Sequence, residues 1–132
     1  MATATVKVEQ ISSTASKGDA RGHEIVMDRP EAKGGTNQGM MGGEALLAGL
    51  GGCFMSNLLA AARARNIELT DARADIEGDM ADAPSRFIAI RMSVSARCNP
   101  PEELNKLVTI AERGCIAANT LRTAVDLSIK LV

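Results

Sequence analysis

Three cysteines, Cys53, Cys98 and Cys115, carry the reactive chemistry of this 132-residue chain. A thiolate attacks peroxides and disulfides and binds metals, so each cysteine is judged by whether its surroundings favour a charged sulfur or bury a small apolar group. Cys53 lies in GGEALLAGLGGCFMSNLLAAA, Gly42 to Ala62, directly behind Gly51 and Gly52. These glycines remove side chains from the preceding turn and leave room for a ligand or another chain segment to reach the sulfur. Packing and chemistry both stay open there, because free cysteine is among the most buried residue types. Cys115 follows Gly114 at the junction of two helical stretches, with Arg113 nearby. Unpaired N–H groups and a helix dipole at such a junction stabilise a thiolate. Cys98 falls on a period-two apolar position and reads as a small hydrophobe. If two thiols cooperate, they are Cys53 and Cys115.

Other polar groups are few. Glu44 opens the helical run that carries Cys53, where the dipole favours a carboxylate. Standing nine residues before Cys53, it faces the opposite side of an ideal helix, so a direct partnership requires a distortion. Arg21 and Arg29 bracket HEIVMD and are the cations available to a thiolate. His23 is the single histidine, which excludes a multi-histidine metal site and argues against a Cys-His hydrolase. No C-x-x-C pair offers a zinc ribbon or a thioredoxin motif. GGTNQGMMGG lacks the Gly-Lys-Ser/Thr ending of a phosphate-binding loop, and GLGGC follows no strand.

The elements that must position the thiols are legible from periodicity. Thr5 to Ile11 and His23 to Asp28 read as strands, and Arg29 to Gly43, with a proline and five glycines, reads as a loop. Leu46, Leu47, Leu50, Phe54, Leu58, Leu59 and Ala62 recur at helical spacing and predict one long helix over about Gly43 to Arg65, apolar over most of its circumference and therefore central. Ala72 to Met80 and Ile88 to Cys98 alternate strictly on either side of ADAPSR and predict two antiparallel, half-buried strands. Asn99-Pro100-Pro101-Glu102 supplies an N-cap, a proline at the first helical position and a first-turn carboxylate for a helix closed by Gly114. Ile116 to Arg122 suggests a short helix, and Val125, Leu127, Ile129 and Leu131 a final strand. Strands paired around helices indicate an α+β fold, with antiparallel sheets around a long central helix.

The length suits a single domain over residues 1–132, able to bury roughly two thirds of its surface. With 45% apolar and 23% charged residues the chain is globular, and its core must come from aliphatic side chains, since Phe54 and Phe87 are the only aromatics. A net charge of −1 and the lack of aromatic platforms argue against nucleic acid as a partner. The N-terminus has no basic region ahead of an apolar run, and Gly, Ser, Asn and Glu44 within the apolar helix argue against a membrane span. The expectation is a cytoplasmic protein whose thiols are reduced at rest, so that any disulfide is transient.

RGHEIVMDRPEAKGGTNQGMMGGEALLAGLGGCFMSNLL, followed some sixty residues later by AERGCIAANTL, resembles the OsmC/Ohr family of osmotically inducible and organic hydroperoxide resistance proteins over nearly the whole chain. The resemblance implies an intertwined homodimer with active sites at the subunit interface and the two long helices packed centrally. It implies a thiol peroxidase for organic hydroperoxides that needs no metal, haem or flavin. By similarity Cys53 is the peroxidatic thiolate and Cys115 the resolving thiol, with a dithiol or lipoylated reductant closing the cycle. The family sets an arginine and a glutamate beside the thiolate, which here implies Arg29, or Arg21, and Glu44. Glu44 stands one place after the motif position, which is Gly43, and the motif proline is absent. A competing expectation is a non-enzymatic protein of the same fold that binds a small apolar molecule or senses oxidation through Cys53.

Overall fold

The computed structural model describes residues 2–132, which divide into two compact units meeting in sequence between Leu46 and Leu47. The secondary structure is α+β, with two antiparallel sheets and one long helix.

In the first unit β1 (Lys7–Gln10), β2 (Ser16–Ala20) and β3 (His23–Met27) form an antiparallel sheet in chain order. Sequence periodicity anticipates β1 and β3, and the structure trims each to its paired residues. It gives no sign of β2, whose SKGDA has no apolar alternation. β2 forms because both its edges are taken by neighbours and because Gly18 sits under Ile25, whose Cγ2 would lie 3.2 Å from a Cβ at that position. Arg21 and Gly22, with φ of 57° and 85°, make the tight turn between β2 and β3, the conformation that matches strand twist in a two-residue hairpin.

The expected loop Arg29 to Gly43 is ordered around one carboxylate. Asp28, only 4% exposed, accepts from the N–H of Arg29 at 2.7 Å, the N–H and hydroxyl of Thr36 at 3.1 and 2.7 Å, and the N–H of Gln38 at 3.1 Å. The Thr36 hydroxyl is the chief cause that holds its pKa down at about 2. The loop folds back so closely that a side chain at Gly35 would run into the Arg29 carbonyl, and one at Gly39 into that of Val26.

Helix α1 (Gly42–Ala64) runs uninterrupted across the boundary between the units, within a residue of the range its periodicity predicts. In the second unit β4 (Glu68–Ala81) and β5 (Arg86–Asn99) pair as a long antiparallel ribbon, followed by α2 (Leu104–Arg113) and α3 (Ile116–Leu121). The ribbon has one half-buried and one wet face, as its alternation requires, except that Met80 and Ile88 near the turn stand exposed. Leu69, Ile76, Ile90, Met92, Val94 and Cys98 pack toward the core, while Arg91 pairs with Asp79 at 2.7 Å and Arg73 with Asp75 at 2.9 Å on the other side. The core joins Leu50, Phe54, Leu58, Ala61 and Ala62 of α1 to Leu107 and Ala111 of α2 and to Cys115. Leu58 and Leu107 are completely buried, each contributing about 1.5–3 kcal/mol by leaving water. Gly51 lets the ribbon close on α1, since a Cβ there would meet Ile76 Cδ1 at 2.7 Å.

Three expectations are corrected. The predicted final strand, Val125 to Leu131, is absent: residues after Thr123 have no regular structure, and Leu127, Ile129 and Leu131 stand exposed. Their alternation pairs with neither sheet, and a strand does not form without a ladder to join. Asn99 is not a helix N-cap but the last residue of β5, paired with Glu68; Pro100 takes the cap position of a 3-10 turn, Pro101–Glu103, that leads into α2. The long helix is not enclosed on all sides within the chain. It buries one stripe, and Leu46 and Leu59 remain 48% exposed.

Candidate active site

Cys53 and Cys115 meet. Cys53 lies mid-helix in α1, half buried, on the face that packs against the core. Cys115 is fully buried and is the N-cap of α3, with extended dihedrals of −77° and 111°. All three cysteines are free thiols.

The chemistry of the pair follows from the four N–H groups that begin a helix and have no partner inside it. The Cys115 N–H donates to the Glu112 carbonyl at 3.2 Å and the Ala118 N–H to Cys115 Sγ at 3.4 Å, while the Asn119 N–H, on the Cys115 carbonyl at 3.0 Å, makes the first bond of the helix itself. The remaining two, from Ile116 and Ala117, act with the Cys115 thiol to lower the pKa of Cys53. Ala117 contributes most to holding the Cys53 pKa below the ordinary thiol range. Partial burial opposes it, and Cys115 and Ile116 add to the lowering. Cys115 shifts the other way: burial raises its pKa, and the neighbouring Cys53 sulfur raises it further against the Ala118 and Ala117 N–H groups. The two thiols are thus differentiated: the half-buried Cys53 has its pKa lowered, and the enclosed Cys115 has its pKa raised.

The carbonyl end of α2 completes the frame. Ile110 O accepts from Gly114 N–H at 3.2 Å and Glu112 O from Cys115 N–H at 3.2 Å. Ala111 O accepts from the Asn57 side-chain amide at 3.3 Å and Arg113 O from that of Asn119 at 3.1 Å. Asn119 belongs to the AERGCIAANTL context that carries the resemblance, though without a role of its own, and Asn57 was passed over; their shared signal is spacing, since each stands four residues after one of the paired cysteines.

The other anticipated residues belong to other settings. Glu44 is in the first unit, exposed, and accepts from the Met41 N–H at 2.8 Å, a carboxylate closing the start of its own helix. Arg29, also in the first unit, has its backbone fixed by the Asp28 carboxylate and by the N–H of Asn37 on its carbonyl at 3.0 Å, and its side chain is exposed. Arg21 occupies the β2–β3 turn and His23 begins β3. Cys98 is half buried at the end of β5, donates to the Pro100 carbonyl at 3.3 Å, and lines a polar hollow with Glu68, Thr70, Arg97 and Asn99. Among the described residues no group of three or more His, Cys, Asp or Glu side chains is arranged to hold a metal ion.

The long helix, the antiparallel strands and the two short helices that follow make a fold shared with known proteins. The family model described as OsmC-like protein matches residues 35–130, and the chain belongs to that family. Similar solved structures include an OsmC-like protein from Mycoplasma pneumoniae, at 19% identity and a TM-score of 0.78, covering 92% of this chain and 88% of that one. An organic hydroperoxide resistance protein OsmC from Legionella pneumophila aligns at 20% identity and a TM-score of 0.63, covering 92% and 90%. The organic hydroperoxide resistance protein OhrB of Bacillus subtilis aligns at 20% identity and a TM-score of 0.59, covering 94% and 93%. No curated protein sequence matches the chain.

Proposed function

We propose that the protein is a cysteine-based peroxidase that reduces organic hydroperoxides. The observation that carries this reading is the half-buried Cys53 of α1 packed against the core that holds Cys115, the N-cap of α3, with the Cys53 pKa lowered chiefly by the Ala117 N–H. The Cys53 thiolate attacks the outer peroxide oxygen, the O–O bond breaks, and the departing alkoxide takes up a proton, leaving an alcohol and a Cys53 sulfenic acid. Cys115 sulfur then attacks the Cys53 sulfur, the S–S bond forms, and the hydroxyl leaves as water with the Cys115 proton. A dithiol, free or lipoyl, restores both thiols by exchange and is itself oxidised to a disulfide. No metal or organic cofactor enters this cycle. Arg29 and Glu44 are proposed as assisting residues by family resemblance.

The working unit in this reading is a homodimer in the cytoplasm. The exposed apolar side of α1 and the unpaired, alternating residues from Val125 to Val132 support a second copy as partner. By length and composition α1 could also cross a membrane, but its stripe of Leu50, Phe54 and Leu58 is packed in the core. A second reading, an oxidation sensor that forms the same disulfide without turnover, is favoured by the engagement of Glu44 in its own helix cap.

The test is turnover of cumene hydroperoxide with dithiothreitol or dihydrolipoamide by wild type, Cys53→Ser and Cys115→Ser. Wild type should consume peroxide catalytically and Cys53→Ser should not. Equal rates for the two would sink the proposal, and a single stoichiometric turnover would favour the sensor.

A further inference from the structure

The last four carbonyls of a helix lack intrahelical partners, and at the end of α2 two of the four take backbone donors while two take side-chain amides. Those amides are Asn57, four residues after Cys53 on α1, and Asn119, four residues after Cys115 on α3. Residues four apart share a helix face, so Cys53 and Asn57 look from α1 toward the same neighbour, while Asn119 reaches back from α3 past its N-cap, Cys115, to the end of α2. We infer that Asn57 and Asn119 are positioning residues for disulfide formation: by clasping two carbonyls of the last turn of α2, Ala111 O and Arg113 O, they lock the α2–α3 turn that carries Cys115 onto the α1 face that carries Cys53.

Gly114 shows how close the clasp is, since a Cβ there would sit 3.4 Å from the Asn57 amide nitrogen. Neither amide is needed to satisfy a core carbonyl at random. Ala111 is fully buried beside Cys115, and the Arg113 carbonyl is two residues from that thiol. Without the clasps Cys115 keeps its α3 cap through Ala118 but loses its registration against Cys53.

The inference rests on the Cys53–Cys115 pairing proposed above, and its test avoids peroxide. Ellman's reagent is added to reduced protein in a Cys98→Ser background. Cys53 thiolate attacks the reagent's disulfide and releases one nitrothiobenzoate. Cys115 then attacks the Cys53 sulfur, forms the S–S bond, loses its proton to solvent and releases a second nitrothiobenzoate. The second release is the readout. Asn57→Ala and Asn119→Leu should slow it about fivefold to tenfold, the loss of one hydrogen bond's worth of registration, while the first release changes by no more than about twofold. Asn119 is exposed, so its variants keep the test valid if Asn57→Ala fails to fold. Asn119→Gln, which retains the donor, should recover most of the rate. A second release that stays at the wild-type rate in both donor-less variants overturns the inference, as does equal slowing by Asn119→Gln. A wild type with no second release overturns the pairing and this inference together. One that closes normally yet consumes no hydroperoxide overturns the peroxidase reading alone.

Discussion

Ile116→Pro isolates the contribution of a single N–H group to the reactivity of Cys53. Proline fits the first position of a helix, where its missing N–H has no intrahelical role, and it requires an extended residue before it. Cys115, with dihedrals of −77° and 111°, already is one. The Ile116 side chain is 76% exposed, so the core loses nothing. What disappears is one of the two N–H groups that lower the Cys53 pKa. A hydrogen bond to a charged group is worth about 1.5 kcal/mol at the lower end of its range, and that end applies because Ile116 ranks behind Ala117 and Cys115 at this sulfur. The thiolate population should therefore fall about tenfold wherever the thiol is still mostly protonated. The assay is the rate of Cys53 alkylation by iodoacetamide as a function of pH, read on the Cys53 peptide by mass spectrometry. The profile should move to higher pH with its alkaline plateau unchanged. A profile that overlays wild type, in a variant with the same circular dichroism and melting temperature, would refute the claim that the start of α3 holds the charge on Cys53.

Three further outcomes are expected. Cys115→Ser should leave the first oxidation intact and block resolution, so that the Cys53 sulfenic acid persists and is trapped by dimedone; rapid loss of the adduct-forming species would contradict the resolving role. Asp28→Asn should loosen the 28–40 segment, because an amide cannot accept from four donors. The Asp28 pKa is depressed to about 2 from 3.8, so the wild-type clasp is complete above roughly pH 4 and lost only as pH falls through about 2. Slowed exchange of the Thr36 and Gln38 amides should survive at pH 4 in wild type and be missing in the variant. Leu58→Ala removes a completely buried side chain from the centre of the core and should cost about 2–5 kcal/mol in urea unfolding, while a cost below 1 kcal/mol would mean the core is not where it is drawn.

What the sequence revealed followed how local each cause is. β4 and β5 announced themselves because their alternation and the intervening turn lie within one stretch, and α1 because its stripe repeats at Leu50, Phe54 and Leu58. The helix-junction setting of Cys115 was readable from Gly114 and the pattern after it, and it proved to be the cap that the site depends on. β2 was hidden because its pairing is imposed by neighbours on both edges. The strand expected from Val125 to Leu131 has the right alternation but pairs with neither sheet, and alternation alone does not supply a ladder. Asp28 reads as a strand's end until the loop returns Thr36 and Gln38 to it across eight and ten residues. Asn57 was invisible because its partner, Ala111, is 54 residues away.

The most direct measurement is a single turnover followed by peptide mapping. Reduced protein receives one equivalent of t-butyl hydroperoxide, is quenched with an alkylating agent, and is digested without reduction. The account predicts a protein lighter by two hydrogens, a Cys53–Cys115 cross-linked peptide, alkylated Cys98, and one equivalent of t-butanol. Oxidant left unconsumed, or a linkage through Cys98 in place of Cys115, would contradict it.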